Sequence, residues 1–267
     1  MRVLILTGQR YGPASLCLPH LAAQPGVELA SIVFSEGQRP SRWRKLRRDL
    51  KKVLRIGPLG ALAGLRMRTW YALIGAEDLF AVAKRCGVPL QRTPLVNCDR
   101  TRALFREARA EIGLSLGNGY IPPSVFQIPA LGMLNVHGEI LPDFQGAASV
   151  IWSIYDGRTE TGFTIHQIDE RIDTGPIVYQ ERFPIAFRET LEQTVRATVA
   201  EINRRVPPAL ARVVGDFETY RSQTRAQAGG RSYTTPTYRQ YRRMLSQHRS
   251  LSRTSASAEA GQGPVRP

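Results

Sequence analysis

The sequence is short of acid, of histidine and of cysteine. Against 37 Lys and Arg stand only 22 Asp and Glu, a formal net charge of +15, and there are 4 His. An excess this basic favours phosphate-bearing partners such as nucleic acid, nucleotide-linked substrates or an anionic membrane face, against the plainer reading of an Arg-rich background composition. The 3 cysteines, Cys17, Cys86 and Cys98, have no CxxC or metal-finger spacing. They exclude a disulfide framework and point to a reducing compartment, the cytoplasm. No run approaches the roughly 18 uncharged residues of a membrane span. The opening MRVLILTG is too short for a secretory signal and reads as a buried strand. The turn after it, Gly8-Gln-Arg-Tyr-Gly12, is not GxGxxG, so no dinucleotide fingerprint is present.

What is present begins as strand, glycine turn, helix, strand. Residues 2–7 are followed by Leu16, Leu18 and Leu21 at helical spacing, then by ELASIVFS. That order starts a doubly wound α/β domain. Residues 39–55 change character. They hold nine basic residues and one acid, Asp49, with Trp43, Leu46, Leu50, Val53 and Leu54 recurring on one helical face. Such a basic amphipathic helix packs one stripe on its own domain, rests on anionic lipid, or holds a polyphosphate; the pattern leaves the three open. Further on the patterning predicts helices near 76–86 and 99–110 and strands at 112–116, 133–136, 162–168 and 176–185. A helix over about 188–205 should be stopped by Pro207-Pro208, with ALARVVGDF resuming after a break. From about 221 the chain is rich in Arg and Tyr, and 250–267 has the Ser/Ala/Gly composition of a disordered tail.

Asn135, His137 and Asp173 stand out as polar residues in apolar surroundings. An Asn amide donates to an oxygen that turns negative in a tetrahedral intermediate. A His moves a proton near neutral pH, and a carboxylate orients it or takes a proton from an attacking amine. Singly, each is as well read as a turn former or a structural residue. No Ser or Cys nucleophile elbow accompanies them, which favours direct attack by the substrate's own nucleophile.

The order N-x-H (Asn135, His137), L-P-x-x-x-G (Leu141, Pro142, Gly146) and D-x-G (Asp173, Gly175), with Asp173 thirty-six residues after His137, resembles the formyltransferase superfamily that uses 10-formyltetrahydrofolate. The similarity runs through residues 110–190 and loosely through 1–35. It is greatest to the catalytic domain of methionyl-tRNA formyltransferases and to sugar N-formyltransferases. The resemblance implies a Rossmann-like α/β domain over 1–190, its mostly parallel twisted sheet carrying antiparallel strands from 162–185. A basic insertion at 37–70 and a small C-terminal extension at 191–249 complete the expected layout.

It also implies that Asn135 and His137 polarise the formyl carbonyl, with Asp173 orienting His137 and helping to move the amine proton. Gly117, Asn118, Gly119, Tyr120 and Ile121, with Asp169, Glu170, Arg171 and Ile172, would hold the pterin ring of 10-formyltetrahydrofolate. No metal is implied, and His166 is expected to be structural. Glu139 and Asp143 to Gln145 depart from the family pattern and are expected to face the acceptor. The acceptor expected first is a nucleotide-linked amino sugar, because the roughly 80 residues after Ile185 leave little room for the β-rich C-terminal domain of the tRNA enzymes. A charged tRNA, or plain hydrolysis of the formyl group, are the alternatives; peripheral membrane contact through 39–55 and a homodimer are also left open.

Overall fold

A computed structural model describes residues 1–37, 42–71, 75–146 and 150–261. Seven strands form one sheet: β1 (Arg2–Thr7), β2 (Glu28–Ser35), β3 (Leu90–Thr93), β4 (Ile112–Ser115), β5 (Met133–His137), β6 (Glu160–Gln167) and β7 (Ile177–Pro184). Their spatial order is β3-β2-β1-β4-β5-β6-β7. The first five are parallel, and β5–β6 and β6–β7 pair antiparallel. β1 reads as a continuous apolar run because both of its faces are covered. Val3 and Ile5 enter one core, Leu4 and Leu6 the other, following the two-residue period of a strand.

The first core is closed by α1 (Pro13–Ala22), α4 (Leu79–Arg85) and α8 (Leu191–Gly215); the second by α5 (Asp99–Ala108) and α6 (Pro123–Phe126). A third cluster joins Met67, Trp70, Trp152, Val195 and Met244. It links α3 (Pro58–Arg68), α7 (Ile151–Tyr155), α8 and α10 (Tyr238–Gly261). α2 (Arg42–Ile56) precedes α3, and α9 (Phe217–Ser222) follows α8. Of the basic segment 39–55, residues 39–41 lie outside the described residues.

Three elements depart from the sequence expectation. Pro207 and Pro208 lie inside α8 and do not stop it. Their missing N–H groups forgo two helix hydrogen bonds. Burial of Val206, Pro207, Leu210 and Val213 keeps the helix on α1 and the sheet, so α8 shares the main core. Strand β3, LQRT, was not expected; it is short, polar and at the sheet edge, paired only to β2. Residues 250–261, expected as a disordered tail, continue α10, and Leu251 packs on the third cluster. Residues 262–267 lie outside the described residues.

β2 and β3 lie on one side of β1 and β4 and β5 on the other, so the order of strand addition reverses between β1 and β4. Ligands bind outside the carboxyl ends of strands at such a switch point. There Asn118 Nδ2 donates to the Leu6 carbonyl oxygen at 2.6 Å and to Ser115 Oγ at 3.2 Å, bridging the two strand ends.

Candidate active site

The carboxyl ends of β4 and β5, the turn at 117–121 and the loop at 168–173 enclose a cleft of about 380 Å³. Asn135, His137 and Asp173 line it. So do Gly117, Asn118, Gly119, Tyr120, Ile121, Asp169, Arg171 and Ile172; Glu170 is exposed and is not among its walls.

Asn135 and His137 share one face of β5 because they are two residues apart, and Val136 between them turns toward the main core. The antiparallel register sets His166 of β6 opposite Asn135, with Asn135 Nδ2 3.2 Å from His166 Nε2. His166 therefore belongs to the cleft wall and is not remote from the chemistry. Pairing of β5 with β6 is the signal that would have found it.

Asp173 stands between the two imidazoles. Its Oδ2 is 3.3 Å from His137 Nδ1 and its Oδ1 is 3.4 Å from His166 Nε2. The Gly146 amide donates to Oδ2 at 2.9 Å. Asp173 has a φ of 57°, in the left-handed region that Asp tolerates better than most residues. The loop around it is shaped by Asp169, whose carboxylate accepts from the Arg171 amide and the Thr174 hydroxyl. Gly175 closes the loop where a Cβ would lie 1.9 Å from the Gln167 carbonyl oxygen, so only glycine fits.

A strap formed by residues 225–236 holds this loop from behind. Gln227 Nε2 donates to the carbonyl oxygens of Asp173 and Gly175 at 3.1 and 2.6 Å. The strap also pairs with the loop after β5, the Gln145 amide donating to Arg231 O and the Tyr233 amide to Gln145 O. Tyr233 stacks on Phe144 and Trp152. The Arg/Tyr-rich composition gave no hint of this.

Carbonyl oxygens only accept, which fixes two tautomers. His137 Nε2–H donates to Phe144 O at 2.8 Å, and His166 Nδ1–H donates to Gln167 O at 2.8 Å. In the neutral rings His166 Nε2 then accepts from Asn135, and His137 Nδ1 presents a lone pair on the Asp173 side. Burial is the main influence on His137 and lowers its proton affinity; the Asp173 carboxylate and the Phe144 carbonyl oppose that without cancelling it. Burial also works against ionisation of Asp173. When the rings are protonated, an N–H on His166 Nε2 and the charge on His137 join the Gly146 amide in outweighing it, and together they hold Asp173 down at about 2. A charged His137 helps Asp173, yet burial favours the neutral ring; we take the resting state as ionised Asp173 beside neutral His137, since among the described residues no second carboxylate pairs with the ring.

Glu139 does not face the acceptor. It is fully buried and accepts from the Val150 and Ile140 amides and the Ser153 hydroxyl. Burial pushes its carboxyl up to about 7. Phe144 and Gln145 are buried under the strap as well, and Asp143 pairs with Arg158 at 3.7 Å. The expectation that these residues face the acceptor fails because their loop packs through Phe144 on the third cluster.

On the far side of Gly146 lies a second pocket, of about 350 Å³, whose walls include Lys52, Arg68, Tyr71, Gly146, Tyr233 and Thr235. Partial burial lowers the Lys52 proton affinity, and the charges of Arg68 and Arg55 lower it further. An open basic groove beside it carries Arg47, Arg48, Lys51 and Arg55.

Solved formyltransferases share this fold. A phosphoribosylglycinamide formyltransferase from Bacillus halodurans superimposes with a TM-score of 0.54 at 20% identity, over 82% of this chain and 98% of that one. A sugar N-formyltransferase from a Shewanella species gives 0.55 at 16%, over 92% and 87%. An N-formyltransferase from Helicobacter canadensis, solved with folinic acid and dTDP-3-aminofucose, gives 0.51 at 13%, over 87% and 70%. At the level of sequence, residues 107–210 match the family described as formyl transferase. A methionyl-tRNA formyltransferase from Corynebacterium urealyticum is 30% identical over 184 residues, 68% of this chain and 50% of that protein. The chain belongs to the formyltransferase superfamily. It spans about half the length of the curated relatives it matches.

Proposed function

We propose that the protein is an N-formyltransferase that moves the formyl group of 10-formyltetrahydrofolate to the primary amine of a nucleotide-linked amino sugar. The observation that carries the acceptor is Gly146. It lines both the cleft and the pocket of Lys52 and Arg68, so an amine entering the cleft past Gly146 would leave phosphates among cations.

The cleft fits a folate. Asn118 Oδ1 is buried with no hydrogen-bond partner, an acceptor suited to a pterin N–H. Tyr120 and Ile172 stand exposed at the rim, able to flank a flat ring, and the turns at 117–121 and 169–172 offer backbone groups between them. The folate supplies the activated formyl carbon. Asn135 uses one amide N–H on His166 and keeps the other for the formyl oxygen as it gains charge. His137 Nδ1 takes the proton of the attacking amine, and ionised Asp173 stabilises the imidazolium formed. Phe144 O and the Gly146 amide fix the ring and the carboxylate in place.

The test is an amine-acceptor panel with 10-formyltetrahydrofolate, following tetrahydrofolate release. Nucleotide diphosphate amino sugars should accelerate release. Arg68→Ala should raise their KM about tenfold or more while leaving kcat within a few fold, the loss of one charge-assisted phosphate contact. Acceleration by methionyl-tRNA alone, or release without any acceptor dependence, would overturn the sugar reading.

A further inference from the structure

The α2–α3 hairpin carries an apolar face that nothing in the described chain covers. Trp43, Leu46, Leu50 and Leu54 recur at steps of three and four residues on α2, and Leu59, Leu62 and Leu65 at steps of three on α3. All seven are exposed, Trp43 at 76% and Leu54 at 77%. Most globular surfaces scatter such residues singly; a stripe on each of two helices in contact marks a docking face.

The hairpin's other side is fixed. A Cβ on Gly60 would lie 3.0 Å from the Tyr238 amide nitrogen and one on Gly64 2.8 Å from Thr235 Cγ2, so α3 lies close against the strap and α10. Gly57, at a φ of 77°, makes the sharp turn between the helices. The α3 leucines are thus held outward by packing on the opposite face of that helix.

Charge identifies the occupant. Arg42, Arg47 and Lys51 are exposed beside the α2 stripe, and the only acid of that helix, Asp49, pairs with its neighbour Arg48 at 3.6 Å. A second copy docking through the same face would bring this cationic rim against itself. RNA would use the cations and find no role for leucines, since its bases stack on aromatic rings. A surface with anionic headgroups above an acyl boundary uses both, and no described helix is long and apolar enough to cross that boundary.

We propose that the α2–α3 hairpin docks the enzyme on an anionic phospholipid surface, with Trp43 and the leucines at the acyl boundary and the basic rim among the headgroups. The proposal is independent of the identity of the formyl acceptor.

The protein contains its own probe. Of the 3 tryptophans, Trp70 and Trp152 are buried at 2% and 3%, so a lipid-induced change in emission reports Trp43. Vesicles of equal parts phosphatidylglycerol and phosphatidylcholine should carry the full-length chain in flotation and shift its emission to the blue, and phosphatidylcholine alone should do so far more weakly. Salt should weaken the binding. The double variant Leu50→Asp/Leu62→Asp, both sites exposed, should keep the wild-type melting temperature and folate cleft activity and lose vesicle affinity by about tenfold or more. The proposal is overturned if anionic vesicles do not bind, or if the double variant binds them as well as wild type. It is equally overturned if light scattering shows a dimer that the double variant converts to monomer, or if tRNA binds where vesicles do not and the variant weakens it.

Discussion

Replacing Asp173 by Asn removes one negative charge and little else. Asn has nearly the same shape and also tolerates the left-handed φ of 57° found at this position. With its Oδ1 in the place of the carboxylate Oδ2 it still accepts from the Gly146 amide, and its Nδ2–H then points to the lone pair of His166 Nε2. The stability effect follows from the depressed carboxyl, which falls from 3.8 to about 2 in the folded chain. At about 1.4 kcal/mol per pH unit, ionisation of Asp173 contributes ~2 kcal/mol. Because the folded value is the lower one, that contribution is complete above about pH 4 and vanishes as pH falls through 2. Urea unfolding of wild type and variant should therefore differ by ~2 kcal/mol at pH 7 and converge toward pH 2. Turnover should fall by about 10²–10⁴-fold, the usual share of a group that stabilises a proton in flight. The carboxylate raises the proton affinity of His137, so its loss should move the acid limb of the pH–rate profile to lower pH. Turnover at the wild-type level with an unmoved acid limb, or a stability gap unchanged between pH 7 and pH 2, would refute the assigned roles.

Asn135→Ala should lower kcat by about 10²–10³-fold with a small effect on folate affinity, read by steady-state kinetics and direct folate titration. Glu139, pushed from 4.5 up to about 7 by burial, binds its proton more tightly folded than unfolded. Wild-type stability should thus fall by ~3 kcal/mol as pH rises from 4.5 to 7, and the slope should disappear in Glu139→Gln, measured by unfolding across that range. Ending the chain at residue 249 removes Leu251 from the third cluster and should cost ~1 kcal/mol, seen as a lower melting temperature with the cleft's activity retained.

The parts that could be read from the sequence are those in which local pattern and tertiary role coincide. β1 shows its two-faced burial as an unbroken apolar run, and the β5 alternation of Asn135, Val136 and His137 already says which side chains share a face. The grouping of the turn at 117–121 with Asp173 came from the resemblance, since no local rule brings residues so far apart together. What was hidden depends on contacts across the chain. His166 gains meaning only from the β5–β6 register. Glu139 looks like a loop carboxylate until the buried amides of Val150 and Ile140 and the Ser153 hydroxyl close around it. Pro207 and Pro208 break a helix by propensity and are overruled by the core they pack in. The Ser/Ala-rich stretch after 250 is low in complexity but not in helix propensity, and α10 continues through it.

The strap also sets where the domain can be cut. Gln227 grips the backbone of Asp173 from the side away from the cleft, and Thr235 and Tyr238 abut the α2–α3 hairpin. A chain severed before residue 225 would keep Asn135, His137 and Asp173 in its sequence and lose what holds the third of them in register. The smallest autonomous unit of this protein is therefore longer than the stretch that carries its motif.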